Sequence, residues 1–162
     1  MPIRRMNVAV FCTALIIVAL CGVAAASTSE GITHITTLPY TITSPGYYVL
    51  DTDCSNAGWH YAIKITASDV ILDGNGHTLD GIGNSDTYGV WAGNVENVTI
   101  KNLTVTDWRR GIYWDNVDGG SITGCIASSN DAYGIYLDSS RSNTITNNTA
   151  SSNGCVGIRL IS

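Results

Sequence analysis

Basic side chains are scarce in this 162-residue chain, with eight Lys and Arg against thirteen Asp and Glu. Two of the eight, Arg4 and Arg5, belong to an N-terminal leader, and the rest of the chain carries a net charge of −7. A surface of that sign repels phosphate backbones and excludes nucleic acid as a partner. Methionine does not occur after Met6, so thioether ligands for a soft metal are missing from the body of the chain. Helical periodicity is also lacking, because no segment beyond the leader spaces its apolar residues three and four apart.

Only one long apolar run occurs, from Val8 to Val23. It follows Arg4 and Arg5 and ends in Ala24, Ala25 and Ala26 before Ser27, the order of charge, apolar stretch and small-residue cleavage site in a secretory signal. A signal peptide is therefore expected over residues 1–26. The run falls short of the ~20 residues that a membrane span needs, so no stable span is expected after cleavage. Cys54, Cys125 and Cys155 remain. Three is odd, so at most one intrachain disulfide forms, and the sequence does not select the pair.

What the chain does have is a repeat. Gly89-Val90-Trp91-Ala92, Gly111-Ile112-Tyr113-Trp114, Gly134-Ile135-Tyr136-Leu137 and Gly157-Ile158-Arg159-Leu160 begin 22, 23 and 23 residues apart. Ala62-Ile63-Lys64-Ile65 is an earlier copy, displaced by extra residues between Gly74 and Thr87. Leu72, Ile100, Ile122 and Ile145 recur in step, as do Val105, Ala127 and Ala150. Asp107, Asn130 and Asn153 each lie four residues before a repeat glycine. Each period thus holds three short alternating pieces separated by Asn, Asp, Gly and Ser, which is a strand pattern. The predicted fold is all-β, a right-handed parallel β-helix with three strands per coil and 22–23-residue repeats. Stacking explains how so polar a segment as Tyr133–Asn153 folds: its backbone bonds go to neighbouring coils, so few inward side chains suffice.

The Gly-Ile-Tyr-Leu strand, the run from Asn143 to Thr149 and the stretch from Val70 to Gly81 resemble the pectin-lyase-like superfamily, in particular its NosD-type and carbohydrate-binding and sugar-hydrolysis domains. The likeness spans roughly Pro39 to Ser162. Residues 27–61 are expected to form an N-terminal cap, with Pro39–Leu50 as a strand pair around Ser44-Pro45-Gly46, and residues 62–162 the coils. The coils are expected to be open at the C-terminal end, either continuing in a longer protein or associating end to end.

Motifs that could carry chemistry are few. Asp73-Gly74-Asn75-Gly76-His77 with Asp80 places two carboxylates about a histidine, and also reads as a glycine-rich turn. The resemblance implies an Asn-x-Asp strand, an Asp pair, Gly-His-Gly and Arg-Ile-Lys for a hydrolase, of which Asn84-Ser85-Asp86 alone matches by letter. For a lyase, the nearest sets are Arg109-Arg110 with Asp107, and Asp115 with Asp118. NosD-type proteins are implicated in copper delivery, yet His34, His60 and His77 are scattered, and Cys54 with His60 makes only two ligands. No catalytic residue, metal site or cofactor is expected. Asn97, Asn102 and Asn147 head glycosylation sequons.

If Ile135 and Leu137 face inward, Tyr136 faces outward. Its repeat equivalents make a column, Lys64, Trp91, Tyr113, Tyr136 and Arg159, an aromatic ladder with a cation at each end. Rings of this kind stack on sugars, and they also stack on one another. The expected function is that of a secreted or cell-surface domain, periplasmic in a Gram-negative source, with an adhesive or structural role and a polysaccharide or surface glycan as partner. The alternatives implied by the resemblance are the N-terminal part of a polysaccharide lyase or glycoside hydrolase, and a periplasmic copper-maturation factor.

Overall fold

The computed structural model describes residues 31–162, so the leader expected over residues 1–26 lies outside the described residues. Sixteen short strands form three parallel sheets. The first holds β1 (Thr33–Ile35), β3 (Gly46–Leu50), β6 (Val70–Asp73), β9 (Val98–Lys101), β12 (Ser121–Thr123) and β15 (Thr144–Thr146). The second holds β2 (Tyr40–Ile42), β5 (Tyr61–Ile65), β8 (Tyr88–Glu96), β11 (Arg110–Asp118), β14 (Tyr133–Asp138) and β16 (Val156–Ile161). The third holds β4 (Cys54–Ala57), β7 (Thr78–Gly81), β10 (Thr104–Thr106) and β13 (Ile126–Ser128). From β2 onward the chain visits the second, first and third sheets in rotation, which is the right-handed parallel β-helix of about 5 coils that the repeat predicts. Register follows the sequence columns: Ile63 pairs with Val90, Ile112 with Val90 and Ile135, and Leu72 with Ile100.

What turns the regular coils, from β8 onward, is a left-handed residue at each corner. Asn97, Asn102 and Asp107 have φ of 54, 52 and 55°, five positions apart. One coil on, Gly119, Gly124 and Ser129 have 67, 64 and 56°, and then Ser142, Asn147 and Ser152 have 55, 55 and 57°. Asn, Asp and Gly enter this region at least cost, which is why they punctuate the sequence. On the first and third sheets these bends leave room for a short strand with one or two inward side chains, whereas β8 and β11 on the second sheet run nine residues and take their own bend at Asn94 and Asn116.

Asparagine amides then lock each corner to the coil beneath. In the fifth coil Asn143 accepts from Gly120 N at 2.7 Å and donates to Val117 O. Asn148 accepts from Cys125 N at 2.8 Å and donates to Ile122 O. Asn153 accepts from both Asn130 N and Asn130 Nδ2 at 3.0 Å and donates to Ala127 O. The polar segment is thus held by amides that do the work usually left to apolar burial.

Two features depart from the sequence reading. The predicted column Asp107–Asn130–Asn153 is out of register by one residue, since Val105 pairs with Ala127 and Thr106 with Ser128. Asp107 therefore matches Ser129 as a left-handed bend, and Trp108 matches Asn130. Trp108 is fully buried and donates its indole N–H to Leu79 O at 2.9 Å, while its backbone N–H is held by Asn130 Oδ1. The predicted strand pair in the cap does not pair with itself either. β2 pairs in parallel with β5 and β3 with β6, so residues 40–50 already run as coil, because their alternation suits any half-buried strand.

Trp114, a large ring at a position that neighbouring coils fill with Ala92 and Leu137, is fully buried between them. Gly120 supplies the space: a β-carbon there would lie 2.8 Å from the indole. The repeat glycines are small for a similar reason. A β-carbon on Gly134 would lie 2.7 Å from Ala127 O, Gly157 O and Asn153 Nδ2, so the glycine faces the corner amide. Gly134→Ala is expected to destabilise the fold by about 1–3 kcal/mol, and Asn130→Ala by a comparable ~1–3 kcal/mol through lost corner bonds. Urea unfolding checks both, against a near-neutral exposed Ser151→Ala.

Candidate functional site

The outward column assembles in register on the second sheet: Lys64 lies beside Trp91, Trp91 beside Tyr113, Tyr113 beside Tyr136 and Tyr136 beside Arg159. The exposure expected of Tyr136 is overturned, for it is only 8% exposed. Its ring lies 5.1 Å from Tyr113 at 20° and 5.1 Å from Tyr133, with the guanidinium groups of Arg110 and Arg159 5.4 and 5.3 Å from its centroid. Its ring faces are spent on neighbours within the protein.

A second outward column was not legible in the sequence. Tyr61, Tyr88, Arg110 and Tyr133 sit in register three residues before the first column. Strict alternation assigns them inward, but the glycine that follows Tyr88, Arg110 and Tyr133 and the next residue both face the core, which adds one position to the count. The two columns merge into one stack, in which Tyr61, Tyr88, Tyr113 and Tyr136 follow each other at 5.5, 5.3 and 5.1 Å with their planes nearly parallel. Arg110 lies over Tyr88, Tyr113 and Tyr136 and donates to the Tyr88 hydroxyl at 2.9 Å. Arg159 likewise donates to the Tyr133 hydroxyl. Burial, with Asp115 and Asp138 nearby, pushes the Tyr113 phenol up to about 12.

Trp91 behaves differently. It is tilted 53° to Tyr61, and a β-carbon on Gly93 would fall 2.3 Å from its six-membered ring. The indole therefore lies along its strand over Gly93 instead of stacking up the coil axis. Lys64 holds its ammonium 5.3 Å from that ring and 5.4 Å from Tyr61. Next to Lys64 the face becomes concave, in a cleft of about 330 Å³ lined by Pro39, Tyr40, Thr41, Trp59, His60, Tyr61 and Lys64.

The other candidate sets come apart. Asp73 accepts from Tyr47 Oη at 2.8 Å, Asn75 N at 3.0 Å and Asn102 Nδ2 at 3.2 Å, and pairs with Lys101 at 3.1 Å. His77 turns instead to Asp53 at 3.1 Å, and Asp80 accepts from Asn56 N. Arg109 pairs with Asp131 at 3.9 Å while Arg110 joins the ring stack, and Asp118 accepts from the backbone of Arg141. Asn84 gives only its carbonyl, to Thr87. Two sequon amides are occupied, Asn97 on Asp69 and Asn102 on Asp73.

Burial opposes ionisation of Asp73, but its bonds to Asn75, Tyr47, Lys101 and Asn102 outweigh it and bring the carboxyl down to about 2. A depressed carboxylate stabilises the fold fully above its unfolded value near ~4 and loses that contribution as pH falls toward 2, an effect of about 2 kcal/mol. Urea midpoints are therefore expected to drop between pH 4 and 2, and Asp73→Asn to flatten that drop. On alkaline titration at 295 nm, Tyr113→Phe should remove a phenol that ionises near 12.

Residues 25–162 match the family model described as "Periplasmic copper-binding protein (NosD)". No curated protein and no solved structure matches the chain. The donors for a resident copper ion do not fit: no three His, Cys, Asp or Glu side chains converge among the described residues. His34 is engaged with Asp51 at 2.6 Å, His77 with Asp53, and His60 lies edge-on to Tyr61, while Cys125 is buried with its thiol pushed up to about 11. No helix among the described residues is long and apolar enough to cross a membrane. The match covers most of the chain, which therefore belongs to the NosD family of β-helix proteins.

Proposed function

We propose that the chain is an exported β-helix module with an adhesive or structural role, and that it binds carbohydrate on the outward face of its second sheet. The leader pattern and the family's periplasmic description support export. The observation that carries binding is the Trp91 ring lying flat over Gly93 beside the Lys64 ammonium. A ring parallel to the surface offers one face to a sugar, whereas rings stacked up the axis offer edges and hydroxyls. The binding element is therefore narrower than the five-residue column. Trp91 and Lys64 carry it, Tyr113 adds an edge, and Tyr136 with Arg159 serves to stiffen the sheet.

The test is binding of the whole chain to an oligosaccharide array. Trp91→Ala is expected to weaken bound glycans at least tenfold, about 1.4 kcal/mol, and Tyr136→Phe to leave them unchanged. Undiminished binding by a folded Trp91→Ala protein would sink the proposal.

A further inference from the structure

The concave end of this face has features of its own. Its cleft draws rings from separate parts of the chain: Tyr40 from β2, Trp59 and His60 from the segment before β5, and Tyr61 from β5. Tyr40, Trp59 and Tyr61 are half-buried, while Thr41 and His60 are exposed at the mouth. The lining is mostly aromatic with a few polar groups, Thr41, His60 and Lys64, which is the composition of a small-ligand site, and about 330 Å³ suits a ligand of modest size.

Lys64 sets the charge of the ligand. Lys101 and Arg109 pair with Asp73 and Asp131, and Arg110 and Arg159 donate to tyrosine hydroxyls. Among the described residues Lys64 has neither an ion pair nor a hydrogen-bond acceptor. Two rings hold its ammonium at the cleft wall with its donors unspent. A cation so placed is complementary to one anionic group. The chain's net charge is negative, which disfavours a long polyanion laid across several coils but scarcely affects one carboxylate held against Lys64.

We infer that this cleft takes a single carboxylate-bearing sugar residue at the end of a glycan, with its ring against Trp59 and Tyr40 and its carboxylate on Lys64. The next residue of the glycan then falls toward Trp91. The inference rests on the carbohydrate-binding reading above and names the site and ligand class within it. The cleft wall also has a support that other coils lack. Ile82, from the extra residues of the second coil, would lie 3.4 Å from a β-carbon on Gly58, the neighbour of Trp59.

The experiment titrates the whole chain calorimetrically with glucuronic acid, its methyl ester, and a disaccharide ending in glucuronic acid. The free acid is expected to bind at least tenfold more tightly than the ester. Trp59→Ala should abolish binding of the acid, Lys64→Gln should erase the preference for acid over ester, and Trp91→Ala should weaken only the disaccharide. Thr41→Trp fills the cleft from an exposed position, so it reports on the site even if Trp59→Ala fails to fold. Equal binding of acid and ester overturns the acidic class. Binding that survives Thr41→Trp and Trp59→Ala overturns the cleft but leaves the face reading intact. Absence of any glycan binding by the wild type on the array overturns both.

Discussion

The left-handed bends that close each coil are the constraint from which the rest of this structure follows. They limit the strands of the first and third sheets to three to five residues and so leave each coil too small to bury a core by itself. Stability has to come from neighbours above and below, through parallel backbone bonds and the amides at the corners. Asparagine meets both demands at once. It tolerates the bend at positions such as Asn102 and Asn147, and it ties adjacent backbones together at Asn143, Asn148 and Asn153. The density of Asn and Ser that looks like disorder in the sequence is the material of the corners.

The same stacking decides what the outer face can offer. Side chains in register lie one coil apart, close enough for rings and guanidinium groups to satisfy each other. Tyr88, Tyr113 and Tyr136 are consumed in this way, with Arg110 set among them. Where a glycine opens the neighbouring position, as Gly93 does beneath Trp91, a ring lies along its strand instead. The proposed binding surface and the structural stack are therefore made of the same residue types and differ in local backbone.

The fold was legible because a period of 22 or 23 residues survives any uncertainty about single strands. Columns through Leu72, Ile100 and Ile122 or through Tyr113 and Tyr136 needed only counting. Three things did not yield to counting. The inward glycine before each Ile or Val breaks two-residue alternation and hides Tyr88, Arg110 and Tyr133 from the outer face. One residue gained between Asn130 and Gly134 slides Asp107 off the asparagine ladder and puts Trp108 on it. The cleft joins Tyr40, Trp59 and Tyr61, whose spacing belongs to no repeat. What lay within one column could be read, and what arose between columns could not.

The second coil shows how this architecture accommodates change. Tyr61 and Tyr88 stay in register although the step between them is 27 residues, so the extra chain is taken up at the corners on either side of β7, whose pairing with β4 is irregular, while the first and second sheets keep theirs. Insertions at such a corner alter the wall of a site without disturbing the frame that holds it. Change at the outer wall and retention of the fold are thereby separable in this architecture.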